Sequence, residues 1–224
     1  CVLKPSEYTP VSAALYAQMI HDAGFPPGVF NLVNGVGPVT GAALSRHQDI
    51  QMISFTGSTR AGRAISKDAA DTIKRVTLEL GGKSPNLVFA DCGDDLEQRV
   101  RDSVSECFYN TGQSCDAPTR LLAERACYER VLEIAEQVGR EQAVGDPSEE
   151  GDHVGPLVSD VQFGRVQRHI ESAVVEAPRL LCGGPGKPKG FERGYYVKPT
   201  VFAEVTPEMT IAREEIFGPV LSIM

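Results

Sequence analysis

"QMISFTGSTRAGRAISKDAADTIKRVTLEL", residues 51–80, decides the fold class. Its first five residues are an apolar strand pattern. Residues 56–71 open on a glycine turn and continue as a helix, and residues 74–80 are a second apolar strand. The same alternation runs upstream. "CVLK" (1–4) reads as a strand, and "TPVSAALYAQMIHDAG" (9–24) as a helix with Thr9 as cap, Pro10 in the first turn and Gly24 as the stop. Val11, Ala14, Leu15 and Met19 share one face of that helix. "VFNLV" (29–33) is a short strand, "NGVG" (34–37) a turn and "PVTGAALSRH" (38–47) a helix. The resulting β-α-β-α-β-α-β order predicts an α/β fold, with a parallel sheet covered by helices and right-handed crossovers.

After "GGKSP" (81–85) the rhythm changes. "NLVF" (86–89) is a strand, and "DDLEQRVRDSVSECFYN" (94–110) a helix running into a polar loop, "TGQSCDAP" (111–118). "TRLLAE" (119–124) is a strand. "YERVLEIAEQVGRE" (128–141) is a helix with Val131, Leu132, Ala135 and Val138 on one face. "SDVQFGRVQRHIESAVVE" (159–176) is another, with Val166, Ile170 and Val174 aligned. "YYVKPTVF" (195–202) and "EEIFGPVLSIM" (214–224) complete the chain, and a domain boundary is expected near residues 79–82.

The net charge of −8 and the absence of a basic cluster argue against a nucleic-acid or anionic-membrane surface. No apolar run approaches the roughly 20 residues of a membrane-spanning helix. The N-terminal "CVLKPSEYTP" has neither the basic start nor the long apolar run of a signal peptide. It begins like the middle of a strand, and the last apolar run stops without a turn, so both ends read as cut from a longer protein. Cys1, Cys92, Cys107, Cys115, Cys127 and Cys182 form no CxxC pair and no zinc-type spacing with histidine. No metal site is expected. Free thiols suit a reducing compartment, the cytoplasm.

Cys115 differs from the other five. It follows Gly112, Gln113 and Ser114 and precedes Asp116 and Pro118, a loop composition in which a reactive thiol is useful. "FTGSTRAG" (55–62) sets Gly57 and Ser58 between a strand and a helix, where free N–H groups suit a phosphate, although such glycines are often simple turn residues. Lys4 and Glu7 stand at a strand's C-terminal end, the edge along which open parallel sheets bind ligands. They can grip a ribose, or be a solvated lysine and a first-turn glutamate. In "LELGG" (78–82), Glu79 is flanked by Leu78 and Leu80, which predicts poor solvation, a raised pKa and a base near neutral pH; the plain alternative is an outward-facing strand residue. In "REEIFGP" (213–219) a carboxylate can hold a ribose and the phenyl ring can pack on a flat heterocycle, or the stretch is a charged turn.

Taken together, "VLKPSEYTP", "FTGSTRAG", "LELGGKSPN", "GQSC" and "EEIFGP", in this order and at domain-scale spacing, resemble the NAD(P)-dependent aldehyde dehydrogenase superfamily over essentially all 224 residues. The resemblance implies a partial Rossmann-type parallel sheet followed by an α/β catalytic domain. Residues 1–79 become the second half of an NAD-binding domain and residues 80–224 most of a catalytic domain. It further implies Cys115 as nucleophile, Glu79 as general base, Lys4 and Glu7 at the adenosine ribose, Gly57 and Ser58 at the diphosphate, and Glu215 with Phe217 at the nicotinamide ribose. The implied cofactor is NAD rather than NADP, because Glu7 repels a 2′-phosphate, and the substrate is a small aldehyde. The family also has segments before Cys1 and after Met224, so open sheet edges should favour a homo-oligomer and the chain alone should be a weak catalyst. A coenzyme-A-acylating relative, a non-catalytic fragment and a cysteine hydrolase are the competing readings. Glu79 argues against the first, since acyl transfer to a thiol needs no water-activating base.

Overall fold

The computed structural model describes residues 1–176 and 179–224. The chain divides into two compact units, Cys1–Gly81 and Gly82–Met224.

In the first unit, β1 (Val2–Leu3) pairs in parallel with β2 (Asn31–Leu32), and β3 (Met52–Gly57) with β4 (Arg75–Leu80). All strand pairing is parallel, as the alternating order predicts. The strands form two separate ladders rather than one sheet, because no strand of the described residues bridges them. The helix expected over residues 38–47 is a π turn, Gly37–Gly41, followed by the short α-helix Ala42–Arg46. The β3–β4 crossover helix, Thr59–Ala70, is capped by Ser58, whose hydroxyl accepts from the Ala61 amide at 3.3 Å. Such a cap contributes about 1 kcal/mol. That helix packs tightly on β4 through Gly62, where a Cβ would stand 2.8 Å from Leu80 Cδ2.

The first helix of the chain, Pro10–Asp22, differs from expectation in two ways. Thr9 makes no side-chain capping bond, and none of the helix residues is buried. Val11, Leu15 and Met19 share a face but are 71%, 63% and 68% exposed. Periodicity marks a face fit for burial; it does not supply the surface that covers it.

The second unit is a three-layer α/β body. Its sheet runs in the order β5 (Pro85–Val88), β6 (Arg120–Ala123), β9 (Val220–Ile223), β8 (Thr200–Ala203), β7 (Arg179–Cys182). The first four strands are parallel, and β7 is an antiparallel edge that the sequence pattern did not reveal. β8 begins at Thr200, just after Pro199, which has no N–H for a ladder, and the Tyr195 carbonyl accepts from the Leu157 amide at 3.0 Å.

Alternation along the strands sorts two cores. Val201, Ala203, Leu221 and Ile223 face α4 (Leu96–Phe108) and α5 (Tyr128–Glu141). Phe202 and Val220 face α6 (Asp160–Glu176) and α7 (Thr210–Arg213). The expected apolar face of α5 is buried throughout. On α6, Val166 and Ile170 are buried, but Val174 is exposed and Ala173 takes its place. At about 100° per residue, position 174 lies about 80° from 166, whereas 173 lies about 20° away. Each fully buried Leu, Ile or Phe contributes roughly 1.5–3 kcal/mol, and nearly all such residues belong to the second unit.

Hydrogen exchange should therefore divide the chain. Amides of β8, β9 and α5 should outlast those of the Pro10–Asp22 helix and β1–β2 by orders of magnitude in exchange mass spectrometry. Equal protection in both units would contradict this distribution of core.

Candidate active site

Three parallel neighbours, β5, β6 and β9, run in one direction, so their N-terminal ends lie along one edge. A motif precedes each of them: Gly82-Lys83-Ser84 before β5, the Cys115 loop before β6, and Glu214–Pro219 before β9. Strand topology alone thus gathers segments more than a hundred residues apart.

The Cys115 loop begins as α4 ends. Asn110, Thr111 and Gly112 are all left-handed, with φ of 49°, 59° and 68°. For a β-branched residue such as Thr111 this is a strained conformation, costing about 1–3 kcal/mol. Specific bonds hold it. Asn110 Nδ2 donates to the Gln113 carbonyl at 3.1 Å, and Thr111 Oγ1 donates to the Gly155 carbonyl at 3.2 Å. Gln113 Oε1 accepts from the Val158 amide at 3.0 Å. Gly112 is required for space as well: a Cβ there would run into the Gly218 carbonyl and come within 2.9 Å of Pro219 N. Beyond this anchored turn Cys115 is exposed. The Ser114 hydroxyl donates to the Asp116 carboxylate and holds its pKa below the usual value, so Asp116 stays ionised beside the thiol.

Glu215 and Phe217 are both half-buried, in a turn held by one helix. Arg165 Nη2 donates to the Glu215 carbonyl at 2.7 Å, and Gln162 Nε2 to the carbonyls of Ile216 at 3.0 Å and Phe217 at 2.7 Å. Phe217 is left-handed, φ 58°. Gly218 lies against Val166, where a Cβ would stand 2.6 Å from Cγ2. Upstream, the Glu176 carboxylate receives the Thr210 amide at 2.8 Å and its hydroxyl at 2.5 Å, fixing the start of α7. Gln162, Arg165 and Glu176 escaped the sequence analysis. On α6 they resemble ordinary solvated positions, and only their bonds to main-chain atoms distinguish them.

In the first unit, Lys4 and Glu7 stand together just past β1. Lys4 Nζ lies 3.8 Å from Glu7 Oε2 and donates to the carbonyls of Pro5 at 2.5 Å and Gly35 at 3.0 Å. Gly57 ends β3, and Ser58 caps the following helix. Glu79 pairs with Thr56 across the β3–β4 ladder and is exposed. Strand alternation turns Leu78 and Leu80 to the other face, toward Gly62, so the poor solvation expected from those leucines is absent.

The aldehyde dehydrogenase family pattern matches residues 1–224. The chain belongs to the aldehyde dehydrogenase family. It is 51% identical to the 3-succinoylsemialdehyde-pyridine dehydrogenase of a Pseudomonas species, covering the whole chain and 46% of that protein. Among solved structures, an aldehyde dehydrogenase from Bartonella henselae superposes with a TM-score of 0.96 at 54% identity, over 99% of this chain and 46% of the other. Aldehyde Dehydrogenase C of Pseudomonas syringae, a cysteine-to-alanine mutant solved with NAD+ and octanal, gives a TM-score of 0.96 at 52% identity, over 100% and 46% of the two chains. The chain therefore spans about half the length of these aldehyde dehydrogenases.

The cysteines separate by environment. Burial pushes the Cys107 thiol up to about 12 and the Cys182 thiol up to about 11, and raises Cys127 as well. All three stay protonated at neutral pH. A limiting alkylating agent at neutral pH should label Cys115 well before Cys107, Cys127 and Cys182, as read by peptide mapping. Earlier labelling of a buried thiol would contradict the expectation that Cys115 is the reactive thiol.

Proposed function

We propose that this chain carries the nucleophile and much of the cofactor site of an NAD-dependent aldehyde dehydrogenase that releases a carboxylic acid. The observation that carries the proposal is the single sheet edge at which the exposed Cys115 and the turn bearing Glu215 and Phe217 meet. Family membership supports the reaction class.

The donor set suits a dinucleotide. The Lys4 ammonium has a third proton beyond its two carbonyl bonds, and Glu7 offers acceptors beside it, a pairing that matches a ribose diol. Lys4 and Glu7 would hold the adenosine ribose, and Gly57 and Ser58 the diphosphate at a helix start. Glu215 would hold the nicotinamide ribose, with Phe217 packed beside it. When bound, NAD supplies the hydride acceptor.

In this mechanism the Cys115 thiolate attacks the aldehyde carbon and forms a tetrahedral thiohemiacetal. Loop N–H donors stabilise its oxyanion. Collapse of the oxyanion expels hydride and leaves a thioester on Cys115. Glu79 then takes a proton from water, the water oxygen attacks the thioester carbon, the C–S bond breaks, and the acid departs with Cys115 restored as thiolate. Asp116 stays ionised beside the sulfur, and the fixed N–H groups of the loop and nearby cations would offset its charge. A carboxylate base argues for water rather than coenzyme A as acyl acceptor.

In the complete enzyme, Glu79→Gln should leave a rapid burst of NADH and then slow turnover, since it removes deacylation and spares hydride transfer. Loss of the burst would move Glu79 to thiol activation.

The 224 residues by themselves are proposed to be a weak catalyst, because the nucleotide unit has little core and two short ladders. Fluorescence titration of this chain should show weak NAD binding and weaker NADP binding. Glu7→Gln should narrow the difference, because it removes the charge that repels a 2′-phosphate. An unchanged ratio would take Glu7 out of the ribose site.

A further inference from the structure

Lys83 stands two residues before β5, and its ammonium donates to the Thr119 carbonyl at 3.1 Å, one residue before β6. The same carbonyl accepts the Ser222 amide of β9 at 3.0 Å. One buried oxygen thus receives a donor from the segment before β5 and another from within β9, at the exit of the Cys115 loop. Four elements present titratable or charged groups to Lys83: Cys107 from α4, Arg120 from β6, His169 from α6 and Glu215 from the turn before β9. Cys107 is neutral because it is buried, and burial together with Arg165 also holds the His169 pKa low. Arg120 remains cationic. Glu215 is the carboxylate in this set, at longer range than an ion pair.

We propose that Lys83 is a positioning residue, whose ammonium straps the exit of the Cys115 loop to the adjacent strands and presents a cation to the Glu215 side chain beside the cofactor ribose. The role at the ribose rests on the function proposed above; the strap itself does not.

The strap depends on pH. Burial lowers Lys83 to about 8, with Arg120 acting in the same direction and Glu215 against it. Below that pH the bond to Thr119 is charge-assisted and Glu215 faces a cation. Above it the amine is neutral and both effects fade. Stability moves the other way. Between pH 8 and the ordinary lysine value of 10.5 the unfolded chain binds more protons than the folded one, so stability rises with pH in that window. A residue kept only for stability would not be a buried ammonium.

The test uses this chain without cofactor or aldehyde, labelled with 13C in its lysines and 15N in its backbone. The Lys83 Cε resonance should titrate with a midpoint near 8, and the Ser222 amide should move with the same midpoint. Glu215→Gln should lower that midpoint. Lys83→Arg should retain the low-pH position of Ser222 and abolish the step; Lys83→Met should abolish both without lowering the unfolding midpoint at pH 7. Titration of Lys83 at the ordinary lysine value, a midpoint indifferent to Glu215→Gln, or a Ser222 amide that ignores Lys83 would each overturn the proposal. Failure of NAD to bind would refute the proposed function and leave these outcomes unchanged.

Discussion

No side chain fits between Gly112 and the Gly218 carbonyl, and on that closeness the arrangement at the strand starts of the second unit depends. The backbone ahead of Cys115 and the backbone after Phe217 touch directly. The Cys115 loop and the Glu215 turn can share one place only if both chains approach without side chains between them. Each chain is also bent into an uncommon conformation at that point: Asn110, Thr111 and Gly112 on one side, Phe217 on the other. Glycine takes positive φ readily, while Thr111 and Phe217 do so at a cost that surrounding bonds must offset. The strain is local, and apart from the Asn110–Gln113 bond within the loop, the bonds that offset it involve residues 155–165, outside both motifs.

The two units use opposite strand ends. In the first, Lys4 follows β1, Gly57 ends β3 and Glu79 lies at the end of β4, all at C-terminal ends, where parallel sheets commonly bind ligands. In the second, the motifs precede their strands. The difference follows from what each end offers. The start of the Thr59–Ala70 helix, after β3, presents free N–H groups suited to phosphate. The starts of β5, β6 and β9 are approached by irregular segments, which can take the sharp left-handed turns that a protruding thiol needs.

Much of this was legible because local chemistry and tertiary context agree. On α5 the apolar stripe meets a sheet, and the residues named from periodicity are the buried ones. Cys115 declared itself by composition, since a thiol among glycine, glutamine, serine and aspartate has no core to enter. Agreement fails where context is needed. The stripe of Val11, Leu15 and Met19 is genuine, yet nothing among the described residues covers it. Glu79 between two leucines looked desolvated, but a strand turns alternate residues to opposite faces, so its neighbours in sequence are not its neighbours in space. Strand β7 is four residues between a helix and a glycine pair, too short to carry a period. Gln162 and Arg165 were invisible because their partners are carbonyls some fifty residues away, which any sequence supplies at every position.

Helix α6 joins these threads, since it serves stability and geometry with one set of residues. Val166, Ile170 and Ala173 seal the second core. Val166 also fixes how close Gly218 can come, while Gln162 and Arg165, four residues and one residue earlier on the helix, grip three consecutive carbonyls of the Glu215 turn. A helix that merely packed could rotate or slide by a few tenths of an ångström at small cost. This one cannot, because any shift that relieves its core contacts also moves the donors that hold Glu215 and Phe217. Packing of a close-packed interior transmits such displacements rather than absorbing them. The position of the Glu215–Phe217 turn is therefore set by the apolar core beneath it, and turn and core are coupled through residues that touch both.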